Sequence, residues 1–100
     1  MKTAIVCGAG GFIGGHMVKR LVKEGYYVVA VDVKKLDEWE QVSQGSANEA
    51  DFDLRSPTKV RELIKRVQPA ELYQFAADMG GAGYIFSGDH DADVMSNSAM

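Results

Sequence analysis

The sequence is poor in cysteine and proline and has no long apolar run. Cys7 is its single cysteine among 100 residues, so no disulfide can form within the chain, and a reducing compartment, by default the cytoplasm, is expected. No run of about 18 apolar residues occurs, which argues against a membrane-spanning helix. The apolar stretch after Met1 is too short for the core of a signal peptide.

An excess of basic residues is also lacking. The formal net charge is −3, and Lys34-Lys35 is the only adjacent pair of lysines. This balance gives no reason to expect nucleic acid or an anionic membrane as a partner. His16 has no partner nearby in sequence and His90 sits among acids, so neither is assigned a metal-binding or catalytic role, and no metal site is predicted.

Four short segments, apolar in whole or in part, have the character of strands buried in a parallel sheet. They are Thr3–Cys7, Tyr27–Asp32, Ala50–Leu54 and Glu71–Ala77. The polar stretch between the second and third strands is irregular, and its Trp39 is expected to pack within that loop rather than to cover a cofactor.

Helical segments alternate with these strands. The first has an apolar stripe at helical spacing and ends at Gly25; the stripe consists of Ile13, Met17, Val18, Leu21 and Val22. The second begins at Ser56 as N-cap with Pro57 in the first helical position, and it stops at Pro69. Residues 89–100 are predicted to open another helix. The alternation predicts an α/β fold, a Rossmann-type doubly wound parallel sheet.

A glycine-rich turn joins the first strand to the first helix. Gly8, Gly11 and Gly14 have the spacing GxxGxxG, within a βαβ unit of about 30 residues that is typical of dinucleotide binding. A tight turn there brings the free N–H groups of the helix start against a pyrophosphate. The alternative is a turn that packs the helix on the sheet and holds no ligand.

Acidic residues end the second and third predicted strands. A carboxylate at Asp32 can accept from a ribose diol and repels a 2′-phosphate, which favours NAD over NADP, although Lys34 and Lys35 weaken that preference. Asp32 could instead be a solvated strand-end residue. Asp53, followed by Leu54, could accept from the adenine amino group or serve as a capping neighbour of the second helix.

The stretch "AADMGGAGYIFSG", residues 76–88, follows the fourth strand and contains Gly80, Gly81 and Gly83. Nothing in it suggests a hairpin turn that returns to a partner strand. In a sheet of order 3-2-1-4, strands one and four are neighbours at the topological switch point, so this loop and the first glycine turn should flank one crevice. A loop without a ligand is the alternative.

At "GAGGFIGGHMVKRL", "VDVKK", "DLR" and "AADMGGAGYI" the sequence resembles the extended short-chain dehydrogenase/reductase superfamily of NAD-dependent epimerases and dehydratases, and within it the GDP-mannose 3,5-epimerases. The superfamily pattern TGxxGxxG maps onto Cys7 to Gly14, with cysteine in place of threonine. The resemblance implies two sets of site residues. The cofactor set is Gly8, Gly11, Phe12, Ile13, Gly14, Asp32, Lys34, Asp53, Leu54, Ala76 and Ala77; the substrate set is Met79, Gly80 and Gly81.

The implied activity is epimerisation of a nucleotide sugar, GDP-mannose, through a transient 4-keto sugar. The family's Tyr-x-x-x-Lys and serine should follow a fifth strand, so no residue among these 100 is assigned a catalytic role. Residues 1–100 are then the N-terminal portion of an NAD-binding Rossmann domain, with the substrate domain beyond Met100 and a homodimer as the full-length state.

Three other interpretations remain open. A related 4-epimerase or dehydratase would use the same cofactor with a different sugar outcome. A Rossmann domain that senses NAD without catalysis would lack the later catalytic residues. A methyltransferase also ends its second strand with a ribose-binding acid, but GxxGxxG fits its GxGxG loop poorly.

Overall fold

The computed structural model describes residues 1–76 and, beyond them, the backbone of two strands, Gly83–Phe86 and Val94–Asn97. Four parallel strands form one sheet: β1 (Thr3–Cys7), β2 (Tyr27–Val31), β3 (Ala47–Glu49) and β4 (Glu71–Gln74). Helix α1 (Phe12–Lys23) connects β1 to β2, and helix α2 (Pro57–Val67) connects β3 to β4. A single 3₁₀ turn, Leu36–Glu38, interrupts the loop after β2.

The sheet has the strand order β3-β2-β1-β4, as predicted. β1 is central, and its last residue, Cys7, is in register with Val31 of β2 and Gln74 of β4. The carboxyl ends of these three strands therefore meet at one edge. The chain crosses from β3 at one side of the sheet to β4 at the other, so the strand order reverses between β1 and β4. In a Rossmann-type α/β fold the crevice lies at this switch point.

The two faces of the sheet carry separate apolar cores because side chains alternate along each strand. One core packs Ile5, Cys7 and their β2 neighbours against α2 through Val60, Leu63 and Ile64. The other packs Ala4, Val6 and their β2 neighbours against α1 through Val18 and Leu21. Helices thus cover both faces, which confirms the doubly wound arrangement.

The predicted helix ends are confirmed. Gly25 follows the C-cap Glu24 with φ +93°, a conformation that favours glycine. The Ser56 side chain accepts a hydrogen bond from the Lys59 N–H at 3.3 Å, and Pro57 occupies the first helical position. Ile13, the first residue of the apolar stripe, lies in the first turn of α1 and is 64% exposed, so the stripe packs on the sheet only from Met17 onward.

The third strand was misplaced by the sequence pattern, because β3 is Ala47–Glu49 and not Ala50–Leu54. Asp51 has φ +55°, which breaks the extended backbone immediately after β3. The N–H groups of Asp51 and Phe52 then bond to the carbonyls of Lys34 and Asp32, outside the ladder. Asp53 consequently lies in the loop before α2 and does not end a strand.

The helix predicted for residues 89–100 is wrong at Val94–Asn97, which form a strand, β6. It pairs antiparallel with β5 (Gly83–Phe86), in a stretch where no strand pairing was expected. Tyr, Ile, Phe and Val all favour extended backbone, and the pairing satisfies the ladder groups of both segments. Ala77, Met79, Gly80 and Gly81 lie outside the described residues. No helix in the described part of the chain has the length and hydropathy to cross a bilayer.

Candidate functional site

A crevice of about 290 Å³ opens where the carboxyl ends of β1, β2 and β4 meet. Its lining residues come from the glycine turn, the end of β2, the loop before α2 and the end of β4. They are Gly8, Gly11, Asp32, Val33, Lys34, Leu54, Phe75 and Ala76. Six of these eight were predicted as site residues. Val33 and Phe75 were missed, although each adjoins a predicted residue in sequence.

Gly8 brings the ends of β1 and β4 together. Its φ is +83°, and a Cβ there would lie 2.6 Å from the backbone N of Ala76 and 2.7 Å from the carbonyl carbon of Phe75. No other residue type fits such a position without displacing backbone. The first glycine of the motif therefore sets the width of the crevice.

Gly14 and Gly11 serve two different purposes. A Cβ on Gly14 would overlap the carbonyl oxygen of Gly8, so this glycine lets α1 pack directly on the turn. A Cβ on Gly11 would meet nothing closer than the Gly8 oxygen at 3.6 Å, an ordinary contact. Gly11 lines the crevice. The position that a side chain would occupy at Gly11, called its bare side below, is therefore free of other described residues.

The N-terminus of α1 faces this space as an uncapped helix start. Gly11 is the N-cap, no side chain accepts from the first turn, and that turn contains no acidic residue. Free N–H groups and the helix dipole together favour an anion. Phe12 and Ile13, which were also predicted to contact the cofactor, lie in the first turn of α1 with exposed side chains that do not line the crevice.

Asp32 is a buried carboxylate, 6% exposed, at the end of β2. One oxygen accepts from the Gly10 N–H at 2.8 Å, and the other accepts from the Lys34 N–H at 2.9 Å. The interpretation of Asp32 as a solvated strand-end residue is therefore wrong. A carboxylate has about four acceptor positions, so two remain for a hydroxyl donor in the crevice.

Asp53 organises the turn that precedes α2. Its carboxylate accepts from the Arg55 N–H at 3.0 Å and lies 3.5 Å from the Arg55 guanidinium. It also lines a hollow of about 490 Å³ that shares Val33 with the crevice. The contacts with Arg55 fit the role of a capping neighbour, and the adenine-binding role stays a prediction. Leu54, next to it, is buried in the core and lines the crevice with its remaining surface.

Gln74 is a residue that the sequence did not single out. Its side-chain oxygen accepts from the Ala76 N–H and so fixes the turn that follows β4, where Ala76 lies against Gly8. Its amide nitrogen is buried and has no acceptor among the described residues. Glutamine within a strand carries no sequence signal for such a role, because the interaction depends on the turn that follows.

Cys7 is fully buried beneath the crevice and plays no chemical part. Burial raises the pKa of its thiol to about 12, and the nearby Asp32 charge adds to the rise. The thiol is therefore protonated at neutral pH and inert as a nucleophile. In the described residues, no three His, Cys, Asp or Glu side chains come together in a way that could hold a metal ion.

Known proteins are similar in sequence to this chain over most of its length. GDP-mannose 3,5-epimerase 1 of Oryza sativa subsp. indica is 36% identical over 96 residues, and GDP-mannose 3,5-epimerase of Arabidopsis thaliana is 37% identical over 96. Each alignment covers 95% of this chain and 24% of the relative. The chain therefore spans about a quarter of the length of the curated relatives it matches.

Solved structures share the fold. The UDP-glucose 4-epimerase of Thermus thermophilus, in complex with NAD, is 28% identical with a TM-score of 0.62, over 76% of this chain and 24% of that one. A model of the NAD dependent epimerase/dehydratase family matches residues 4–98. Because that match begins within β1 and runs past β6, it takes in every element around the crevice, and the chain belongs to the NAD dependent epimerase/dehydratase family.

Proposed function

We propose that this chain is the cofactor-binding part of an NAD-dependent nucleotide-sugar epimerase. The observation that carries the proposal is that Gly11, the N-cap of an uncapped helix start, lines the same crevice as the Asp32 carboxylate, and that a side chain on Gly11 would meet nothing closer than 3.6 Å. An anionic group with a hydroxyl-bearing neighbour fits that combination. The pyrophosphate and ribose of a dinucleotide have this chemistry.

Each predicted part of the cofactor has a matching position in the crevice. Gly11 and the first turn of α1 would hold the pyrophosphate, and the free acceptor positions of Asp32 would receive ribose hydroxyls. The hollow beside Asp53 and Val33 would take the adenine. The end of β4 at Ala76 would face the nicotinamide. Bound NAD would supply a hydride acceptor for a sugar carbon.

The contribution of these residues to catalysis is positioning. Asp32 would hold the adenosine ribose and the start of α1 would hold the pyrophosphate, which would orient a bound dinucleotide along the crevice. If bound NAD accepted a hydride from the sugar, the sugar would carry a ketone, which would acidify the protons on both adjacent carbons. The groups that move those protons are expected beyond residue 100, and so is the substrate domain.

GDP-mannose is the substrate we favour. The support is the identity of 36–37% to two plant GDP-mannose 3,5-epimerases over nearly the whole chain. A 4-epimerase is the second candidate, since a UDP-glucose 4-epimerase structure matches at 28% identity. The two reactions differ in one chemical respect: a 3,5-epimerase exchanges sugar protons with solvent, whereas a 4-epimerase returns the same hydride.

That difference provides the test. The full-length enzyme is incubated with GDP-mannose in D₂O, and the recovered nucleotide sugars are examined by NMR. Deuterium at C3 and C5 in epimerised products supports a 3,5-epimerase. A 4-epimer without deuterium from UDP-glucose in a parallel incubation would favour the second candidate. No change in either sugar, with NAD bound, would support a sensor and contradict the proposed activity.

A further inference from the structure

Trp39, the chain's single tryptophan, is buried in a segment whose neighbours are exposed. It is 7% exposed, whereas Leu36 on the same 3₁₀ turn is 45% exposed. Trp39 joins the core on the α1 face although it belongs to no strand or helix of that core. A large aromatic ring held there by an irregular loop calls for a physical reason.

The ring packs against Gly10, at the back of the glycine turn. A Cβ on Gly10 would lie 2.9 Å from Cδ1 of Trp39, 3.0 Å from its Cγ, and 2.9 Å from the Asp32 carboxylate. Gly10 does not line the crevice, whereas its neighbours Gly8 and Gly11 in the turn do. The glycine at position 10 is thus required by the indole and the carboxylate behind it, not by a ligand.

Both backbone polar groups of Gly10 are also held by the protein. Its N–H donates to Asp32 at 2.8 Å, and its carbonyl accepts from the Glu40 N–H at 3.0 Å. The indole N–H of Trp39 donates to the Lys34 carbonyl at 3.1 Å, and the Lys34 N–H donates to Asp32. These contacts close a ring around Gly10, here called the Gly10 clamp: Asp32, Lys34, Trp39 and Glu40.

We propose that Trp39 is a positioning residue for cofactor binding, which holds the glycine turn in the form where the bare side of Gly11 faces the crevice. The inference rests on the proposed binding of NAD at that crevice. A loop held in its bound conformation before the ligand arrives loses less conformational freedom on binding. Trp39 and Glu40 contact Gly10 without lining the crevice, whereas Asp32 and Lys34 belong both to the Gly10 clamp and to the lining.

The test uses full-length protein with three substitutions. Trp39→Ala removes both the indole ring and its N–H, whereas Trp39→Phe keeps an aromatic ring and removes only the hydrogen bond to the Lys34 carbonyl. Leu36→Ala, at an exposed position of the same loop, is the control. Isothermal calorimetry gives the NAD affinity, and hydrogen exchange in NAD-free protein follows residues 8–14 and, for comparison, α2. We expect Trp39→Ala to weaken NAD binding by about tenfold. Exchange should rise in residues 8–14 and stay unchanged in α2.

Two outcomes would overturn the proposal. The first is a Trp39→Ala protein with the NAD affinity and hydrogen exchange of the parent. The second is faster hydrogen exchange throughout the sheet and α2, which would mean that Trp39 is a general core residue. If Trp39→Ala does not fold, Trp39→Phe tests the proposal instead. A smaller loss of NAD affinity, with faster hydrogen exchange confined to residues 8–14, supports a positioning role. Affinity and exchange equal to the parent's contradict it. A parent protein that binds no NAD would refute the proposed function, while the exchange data would still decide whether Trp39 holds the turn.

Discussion

The carboxylate of Asp32 and the backbone N–H of Gly10 are joined by a buried 2.8 Å hydrogen bond. The residue expected to choose the cofactor therefore also anchors the turn expected to hold its pyrophosphate. These two roles of Asp32 cannot be separated by deleting the side chain, which shapes the first prediction.

Asp32→Ala should weaken NAD binding and also narrow the preference for NAD over NADP. The parent enzyme should bind NAD at least about tenfold more tightly than NADP, a difference of about 1.4 kcal/mol, because the carboxylate repels a 2′-phosphate. The substitution removes that repulsion and also frees Gly10. Asp32→Asn, which keeps one acceptor oxygen, should lose less NAD affinity. Calorimetry with both cofactors measures this, and equal affinities in the parent would contradict it.

Gly14→Ala should destabilise the protein even without cofactor. The new Cβ overlaps the Gly8 carbonyl oxygen and lies 2.8 Å from its carbon, so α1 must move away from the turn. Overpacking of this kind costs about 1–3 kcal/mol. Thermal unfolding of the cofactor-free enzyme is the measurement, with Lys19→Ala on the exposed side of α1 as control. A Tm equal to the parent's would show that the helix does not rest on the turn.

The sequence predicted those parts of the fold whose signals are local. β1 is bounded as predicted because an apolar run meets a glycine turn, and α2 begins at Pro57 because a capping serine, Ser56, directly precedes that proline. The position of β3 depends on the positive φ of Asp51, and no neighbouring residue in the sequence predicts that φ. The packing of Trp39 on Gly10 joins positions 29 residues apart in sequence, and only the folded chain brings them together.

Glu71 should make stability fall as the solution is acidified. The Tyr73 and Tyr26 hydroxyls donate to its carboxylate and Lys2 lies 3.7 Å away, which together lower the Glu71 pKa below its usual value. A lowered folded-state pKa means stability that is present near neutral pH and lost as pH falls through that pKa. The Tm of the parent should drop more steeply from pH 7 to 3 than that of Glu71→Gln.

The hydrogen bonds around Glu71 also predict that the Tm falls at high pH, which is the alkaline limb of the Tm profile. Donation to Glu71 raises the pKa of Tyr73 from 10.0 to about 12. The protonated phenol is the form that the fold stabilises, so this contribution is complete below pH 10 and disappears as pH rises through about 12. Tyr73→Phe should make the alkaline limb of the Tm profile shallower, and the raised pKa of Tyr26 should leave a remainder. An identical profile in parent and variant would mean that the cluster contributes nothing to folding.

Gly80→Val should block binding of the nucleotide sugar and spare NAD. This residue lies outside the described part of the chain, and the prediction depends on the substrate role that the family resemblance implies for Gly80 and on its position in sequence shortly after β4. A branched side chain would fill volume that the sugar needs. Thermal shift with NAD and titration with GDP-mannose on one purified variant separate the two sites. Loss of both responses, or of neither, would contradict a substrate role for this glycine.

Above all, we propose that the cofactor pyrophosphate binds against the bare side of Gly11. Gly11→Val in the full-length enzyme tests it most directly, because the protein itself leaves that position free and its φ of −89° suits any residue. The measurement is NAD affinity by calorimetry, paired with the Tm of the cofactor-free variant. We expect a Tm close to the parent's and no detectable NAD binding. A folded Gly11→Val enzyme that binds NAD with parent affinity would contradict it.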